Sequence, residues 1–125
     1  MRQPEMIRSG AIEILYLDYS GIKKKDEVLA QMEYFGNYIR QQPFQSVVTL
    51  TNLNEMYFNT EVYNRFTAYV KSNTPHVKES AVIGLKGMMQ IFYKGFVKIT
   101  GRNVTICNSK DEAVFALSKH LAEAV

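Results

Sequence analysis

Four short apolar segments dominate the pattern of hydrophobic and polar positions, and each is followed by a stretch in which apolar residues recur at helical spacing. The predicted strands are Ile12–Tyr19, Val47–Leu53, Ala81–Leu85 and Val104–Cys107. Strands that are apolar along their whole length are typical of sheets covered by helices on both faces. The pattern therefore predicts one compact α/β domain in the order β-α-β-α-β-α-β-α, preceded by a polar N-terminal extension over Met1–Gly10. Because βαβ connections are right-handed, we expect these strands to be mostly parallel, with an edge strand in the opposite direction as the alternative.

The helix boundaries are marked by residues that favour caps. Thr60 is expected to cap the second helix. The third helix is predicted over Met88–Thr100, with Gly101 at its C-terminal cap. Ser109 and Glu112 have the spacing of a capping box at the start of the fourth helix.

Charge is unevenly distributed along the 125 residues, although the net charge is only +3. Between Arg65 and Lys110 there are eight basic residues and a single acidic residue, Glu79, so the remainder of the chain is net acidic. Such asymmetry favours an anionic partner, whereas the simpler interpretation is that the lysines keep the domain soluble. A Gly-x-x-Gly turn at Gly84–Gly87 is similar to that of RNA-binding KH domains, but the element order does not match that fold, and we expect no nucleic-acid partner.

The cellular location is inferred from three features of the sequence. The single cysteine, Cys107, lies in an apolar run, which favours a buried thiol in a reducing compartment. The N-terminal residues lack the apolar core of a signal peptide. The longest apolar-rich stretch, Met88–Ile99, is interrupted by lysines and is shorter than a membrane-spanning helix. These features predict a soluble cytoplasmic protein.

From Ile12 onward the chain resembles the SpoIIAA-like, or STAS-like, family of small bacterial α/β domains. The residues that carry the resemblance are Ile14–Gly21, Val47–Asn52, Lys78–Gly87, Thr100–Val104 and Asp111–Ala113. The family includes antagonists of anti-sigma factors, domains of anion transporters and lipid-carrying domains of related shape. The resemblance implies a mostly parallel or mixed sheet of four to five strands covered by helices. It also implies a non-catalytic binding or regulatory module that engages a protein partner or a small anion.

The antagonists of this family carry a phosphorylatable serine in an Asp-Ser-Ser-Gly-like turn at the start of a helix. The corresponding stretch here, Asn52–Thr60, lacks that motif, and Thr60 is its only hydroxyl at the helix start. Thr60 is therefore the candidate phosphoacceptor, with a simple capping role as the alternative.

A candidate anion site follows from the predicted topology. Ligands of open α/β sheets gather beyond the carboxyl ends of parallel strands, where helix N-termini favour anions. The polar residues expected at this edge are Asp18, Ser20, Asn52, Asn54, Lys86, Gly87 and Asn108. The alternative is that these residues only form turns and caps.

A basic stripe is predicted on the third helix, because Lys94, Lys98 and Arg102 follow one another at intervals of four residues. Next to an apolar surface, such a stripe favours contact with an anionic membrane or a partner. The apolar excess at Met89, Phe92 or Tyr93 would also suit a homodimer contact. The simpler interpretation is a solvated face on a helix whose apolar side packs on the sheet.

No constellation of residues specifies a reaction, a metal or a cofactor. His76 and His120 lack partners at metal-ligand spacing, and no Ser/His/Asp arrangement is evident. The leading hypothesis is therefore a binding or regulatory module, and the second is a peripheral membrane or lipid-binding domain. The third is a small enzyme that uses Asp18 and Lys86 at the strand ends on a phosphorylated or acidic substrate.

Overall fold

Five strands and four helices make up the structure, a computed structural model that describes residues 1–101 and 104–123. The predicted α/β domain with a mixed sheet is confirmed. The elements are β1 (Glu5–Ser9), β2 (Ile12–Asp18), α1 (Lys25–Arg40), β3 (Val47–Asn52), α2 (Thr60–Asn73), a 3-10 turn (Thr74–His76), β4 (Val77–Ile83), α3 (Met88–Thr100), β5 (Thr105–Cys107) and α4 (Lys110–Glu123).

The sheet has the strand order β1-β2-β3-β4-β5. Strands β2 to β5 are parallel, and β1 runs antiparallel to β2, with Ser9 opposite Ile12 across a tight turn. The N-terminal segment, described from the sequence as a polar extension, thus contributes a strand. It is also held on α1, because the Gln31 side chain accepts a hydrogen bond from the Arg2 N–H and donates one to the Arg2 carbonyl.

Helices cover both faces of the sheet, but unequally. Leu15, Leu17 and Tyr19 point towards α1, α2 and α3, whereas Ile14 and Tyr16 point towards α4. Successive side chains of a strand alternate between its faces, so each strand supplies both cores. Because neighbouring parallel strands are joined in sequence order by right-handed crossovers, the three connecting helices all lie on one face. Only α4, which follows the last strand, packs on the other.

Helix α1 shows how the sequence pattern becomes a core. It buries a stripe of residues at spacings of three and four: Val28, Met32, Phe35 and Ile39. Each such side chain contributes about 1.5–3 kcal/mol through removal of apolar surface from water. On the opposite face, Ala113 and Leu117 of α4 are fully buried.

Two caps follow the predictions, and one does not. Gly101 adopts a left-handed conformation (φ 68°) at the end of α3, and the Ser109 hydroxyl accepts a hydrogen bond from the Glu112 N–H at 3.1 Å. The prediction that Thr60 caps α2 is wrong. Asn59 is the cap, because its Oδ1 accepts a hydrogen bond from the Val62 N–H at 2.8 Å. The asparagine takes the role because its side chain reaches back to the first turn from an extended backbone.

Candidate functional site

The carboxyl ends of β2, β3 and β4 meet at one edge of the sheet, which we call the strand-end edge. Asp18 lies opposite Asn52, and Asn52 lies opposite Ile83. Pairing continues one residue beyond the strands, since the Tyr19 N–H donates to the Asn52 carbonyl and the Leu53 N–H donates to the Ile83 carbonyl, both at 2.9 Å. The sequence-predicted edge therefore brings Asp18 and Asn52 side by side.

The side chains expected to bind an anion at this edge are already engaged within the protein. Asp18 accepts a hydrogen bond from the Ser20 N–H at 2.8 Å and pairs with Arg2 at 3.4 Å. Asn52 donates to the Tyr16 hydroxyl, and its Oδ1 accepts from both the backbone and the side chain of Asn54. Asp18, Ser20 and Asn52 therefore take part in hydrogen bonds that stabilise turns and the β2–β3 junction.

The turn between β4 and α3 lies close against the β3–α2 loop. Gly84 has a φ of +85°, and a Cβ atom there would lie 2.4 Å from the Asn54 nitrogen. Only glycine fits this conformation and contact. Lys86 and Gly87 follow as exposed residues, and α3 begins without a side-chain cap or an acidic residue in its first turn. Of the predicted anion-binding residues, these two keep the most open environment.

Thr60 is the first residue of α2 and is exposed, and it belongs to a charged neighbourhood. The adjacent Glu61 pairs with Lys25 at 3.1 Å, and Lys23 pairs with Glu55 at 3.4 Å. The hydrogen bond to Glu61 raises the pKa of Lys25, so its ammonium stays protonated. Lysines at or just before the start of α1 thus form ion pairs with glutamates at or just before the start of α2.

The basic stripe predicted on α3 is described in part. Lys94 and Lys98 are exposed, whereas Arg102 lies outside the described residues. The same helix exposes two large apolar side chains, Met88 and Ile91, which are 52% and 76% exposed. Met89 is buried against the core. The helix therefore packs on the domain with one face and leaves apolar side chains near its lysines.

Between α2, α3 and the sheet lies a cavity of 110 Å³. Its floor carries hydroxyl side chains of β3 and β4: Thr49, Thr51 and Ser80. Its walls are aliphatic and aromatic, and they include Leu53, Met56, Phe58, Phe66, Met89, Phe92 and Phe96. Tyr69 and Asn73 of α2 line it as well. Concave, mostly apolar spaces with a few polar groups are the usual form of small-molecule sites.

The sequence reasoning did not identify this cavity, although a signal was present. Thr49 and Thr51 lie at every second position between Val47 and Leu53, so all four side chains occupy the face of β3 that meets the connecting helices. Hydroxyls at core-facing positions, opposite helices rich in aromatic residues, indicate a site that is not filled by aliphatic packing. Thr49 donates a hydrogen bond to Ser80 across the floor at 2.9 Å.

The groups that could support catalysis or metal binding are dispersed. Within residues 1–101 and 104–123 there is no group of three or more His, Cys, Asp or Glu side chains placed to hold a metal ion. The predicted burial of Cys107 is confirmed, and burial, with a smaller effect of Glu112, raises the pKa of its thiol. The Nδ1 atom of His76 is bonded to the Gln42 carbonyl at 2.7 Å. A search of the same residues for a helix long and apolar enough to cross a membrane finds none.

Comparison with known proteins adds no family assignment. Neither the family models nor the curated proteins that were searched contain a match to this chain. The resemblance to STAS-like domains therefore stays a hypothesis, and the functional argument depends on the geometry of the strand-end edge and of the cavity.

Proposed function

We propose that the protein is a non-catalytic regulatory module of STAS-like type, which binds another protein at its strand-end edge and is controlled by phosphorylation of Thr60. The observation that carries this proposal is the state of the Thr60 side chain. It is exposed at the start of α2, and within the described part of the chain it has no hydrogen-bond partner, because Asn59 provides the cap. The alternative role of Thr60 as a cap has thus been removed.

A phosphate at Thr60 would be favoured by its surroundings. It adds a charge of about −1.5 to −2 next to free N–H groups at the positive end of the helix dipole. Lys25, now paired with the neighbouring Glu61, is a cation that a phosphate could recruit. Phosphorylation would therefore rearrange the ion pairs that link the starts of α1 and α2.

The surface around Thr60 suits a protein partner. Tyr57 is 36% exposed in the loop before α2, and Met88 is exposed at the start of α3, with Lys86 close by in the sequence. Aromatic and methionine side chains bordered by charges are enriched at the centres of protein interfaces. We assign the protein to the cytoplasm, which the buried free thiol of Cys107 supports. The turn at Lys86 and Gly87 is the part of this surface that we assign to a small anion or to the partner's carboxylates.

The first test is to locate the modification. The protein, purified from its native cells, is digested with trypsin, and the peptide between Arg40 and Arg65, which contains Thr60, is sequenced by mass spectrometry. We expect a phosphate on Thr60, and none on this peptide in the Thr60→Ala variant. Ser72→Ala, which removes another exposed hydroxyl from α2, should leave the modification unchanged.

The second test asks whether the modification controls binding. The unmodified protein and protein carrying phosphothreonine at position 60 are used as baits, and proteins captured by only one of the two are identified. We expect one partner whose capture depends on the phosphate and which Ser72→Ala does not alter. The absence of phosphate at Thr60 in cells, or identical capture by both baits, would refute the proposal.

A second candidate function is contact with an anionic membrane through α3. The observation that favours it is the exposure of Met88 and Ile91 on the helix that carries Lys94 and Lys98. Sedimentation with anionic vesicles should then weaken in a Lys94→Ala/Lys98→Ala variant. A Lys71→Ala/Lys78→Ala variant, which removes two exposed lysines elsewhere, is the matched control. Equal binding by both variants would leave α3 without this role.

A further inference from the structure

The cavity contains a buried polar group whose hydrogen-bonding capacity is unused. In the part of the chain that the structure describes, the buried side-chain polar atoms without a hydrogen-bond partner are the hydroxyls of Tyr19 and Tyr69. Tyr69 lines the cavity, and the fully buried Tyr19 lies close to it. The Tyr19 hydroxyl and the Asn73 side chain are near enough to the Tyr69 hydroxyl to affect its pKa, although neither phenol makes a hydrogen bond of good geometry. Unpartnered buried hydroxyls are uncommon in native proteins, and they often mark a place where a ligand or water binds.

A positive charge lies beside these hydroxyls. Arg40 donates hydrogen bonds to the side-chain oxygens of Asn73 at 3.0 Å and Asn37 at 3.1 Å, and it has no carboxylate partner among the described residues. Its charge acts on Tyr69, since it opposes the rise in the pKa of that phenol. Asn73 is 2% exposed and lines the cavity. We call Tyr19, Tyr69, Asn73 and Arg40 the polar end of the cavity.

The polar end and the apolar body of the cavity are separated along the sheet. Asn73 lies at the end of α2, next to Val77 at the start of β4, whereas Leu53 and Met56 lie beyond the carboxyl end of β3. Thr49 and Leu53 both line the cavity, and at the rise of a β-strand they lie about 13 Å apart along the sheet. One end therefore offers hydrogen-bond donors near a cation, and the rest offers apolar contact.

We propose that this cavity binds a small carboxylate with an apolar body, such as a medium-chain fatty acid or an arylalkanoate. The carboxylate accepts hydrogen bonds from the Tyr69 hydroxyl and the Asn73 amide, which line the cavity, with Tyr19 and the charge of Arg40 next to them. Because the Asn73 oxygen already accepts from Arg40, its NH₂ group is the remaining donor. The apolar body lies between α2 and α3, against Met56 and Met89.

The size of the cavity limits the ligand. A dry cavity of about 150 Å³ in another protein accommodates benzene, so 110 Å³ encloses only part of an octanoate or phenylbutyrate molecule, and the rest of its apolar body lies against the partly exposed Phe92, Tyr93 and Phe96. A diacyl phospholipid is excluded on this ground. Thr60 does not line this cavity. Failure of the ligand proposal would therefore leave the phosphorylation proposal unaffected, and the reverse also holds.

The ligand test uses the full chain and four probes: octanoate, 4-phenylbutyrate, octanol and acetate. Calorimetry should detect binding of the two larger carboxylates. Octanol, which lacks the charge, and acetate, which lacks the apolar body, should bind at least about tenfold more weakly, since a tenfold change corresponds to the loss of one good interaction. Equal binding of octanol and octanoate would overturn the role of the polar end.

The location is tested by NMR with ¹³C-labelled methionine methyl groups. Octanoate should shift the signals of Met56 and Met89, which line the cavity, and leave Met6, which is exposed on β1, unchanged. No shift at Met56 and Met89 in millimolar octanoate, or shifts confined to exposed methionines, would overturn the proposal.

The polar end is tested with Tyr69→Phe, which keeps the ring and removes the hydroxyl. This variant should weaken octanoate binding about tenfold and leave octanol binding unchanged. Tyr63→Phe removes another cavity-lining hydroxyl, which lies beside Gly95 rather than at the polar end, and it should bind octanoate as the wild type does. If Tyr69→Phe keeps the preference for octanoate over octanol, the assignment of the carboxylate to this end is wrong.

Discussion

Asn59 and Thr60 are neighbours at the start of α2, yet their side chains have different roles. Asn59 is bonded to the first turn of the helix, and Thr60 is exposed. The sequence located the start of α2 but not its capping residue, because asparagine and threonine both serve as N-caps. Which of the two caps the helix depends on which residue has the extended backbone of an N-cap, and in this structure it is Asn59. The distinction matters because the proposal for Thr60 requires its hydroxyl to be available.

This division of roles predicts opposite effects on stability. Asn59→Ala should lower the free energy of unfolding by about 1 kcal/mol, because the Val62 N–H loses its acceptor. Thr60→Ala should change it by no more than about 0.5 kcal/mol, as is usual for an exposed site. Urea denaturation of both variants measures the difference. A larger loss in Thr60→Ala than in Asn59→Ala would restore Thr60 as the cap.

Gly84 offers a second test at the scale of one residue. Gly84→Ala should cost more than about 2 kcal/mol, because the new Cβ combines a positive φ with a contact of 2.4 Å to the Asn54 backbone. Gly10→Ala is the matched control, since it has a similar φ of +63° with no atom within 4 Å, and it should cost about 1–2 kcal/mol. The difference between the two midpoints of denaturation isolates the close approach of the β4–α3 turn to the β3–α2 loop. Equal losses would contradict that contact.

At the scale of elements, the apolar pattern predicted the helices and strands that bury apolar residues. It missed strand β1, which forms because it pairs with a neighbouring strand. The stripe of α1 and the bounds of α3 were evident, because their apolar residues repeat at helical spacing. Strand β1 was missed, since only Ile7 and Ser9 of its five residues are even partly buried, and the strand exists because β2 offers it an edge. Strand β4 begins earlier than predicted, because Lys78 and Glu79 interrupt the apolar run.

Helix α4 supplies the only helical cover on its face of the sheet in the described structure, so its core contact should be costly to remove. Leu117 is fully buried against β-strand residues such as Leu50 and Ile83. Leu117→Ala should therefore lower the free energy of unfolding by about 2–5 kcal/mol. Phe115→Ala, on the exposed side of the same helix, should cost less than about 0.5 kcal/mol. Similar losses in thermal or urea unfolding would mean that α4 is not packed as described.

At the scale of the whole molecule, the cavity and its polar end arise from the packing of several elements against one another. Sequence patterns could place α2 and α3 on one face of the sheet, but they could not show that Phe92, Tyr93 and Phe96 are only partly buried beside a cavity. Periodicity reports which face is apolar, and it does not report how closely two faces meet. The polar end of the cavity depends on this packing, since it joins residues of α1, α2 and the β2 end.

The buried tyrosines predict how stability changes at alkaline pH. Burial raises the pKa of Tyr69 to about 12 and raises the pKa of Tyr19 well above its ordinary value, whereas both phenols titrate near pH 10 in the unfolded chain. Between pH 10 and 12 the unfolded state therefore holds fewer protons than the folded state, and the free energy of unfolding falls as the pH rises. The stabilisation is fully present below pH 10, and Tyr69 alone should account for a loss of about 2–3 kcal/mol by pH 12.

Tyr69→Phe separates this effect from general alkaline unfolding. The variant should flatten the decline between pH 10 and 12, because one of the two buried phenols no longer titrates. At neutral pH it should be as stable as the wild type or about 1 kcal/mol more stable, since it removes an unpartnered hydroxyl from the interior. Tyr38→Phe, which changes an exposed tyrosine of α1, should leave the profile unaltered. Urea denaturation across this pH range measures the stability of all three proteins. A Tyr69→Phe curve parallel to that of the wild type would show that the Tyr69 hydroxyl is solvated in the folded protein.

If the Tyr69 hydroxyl destabilises the ligand-free domain and also improves carboxylate binding, we conclude that it is retained for the ligand rather than for the fold.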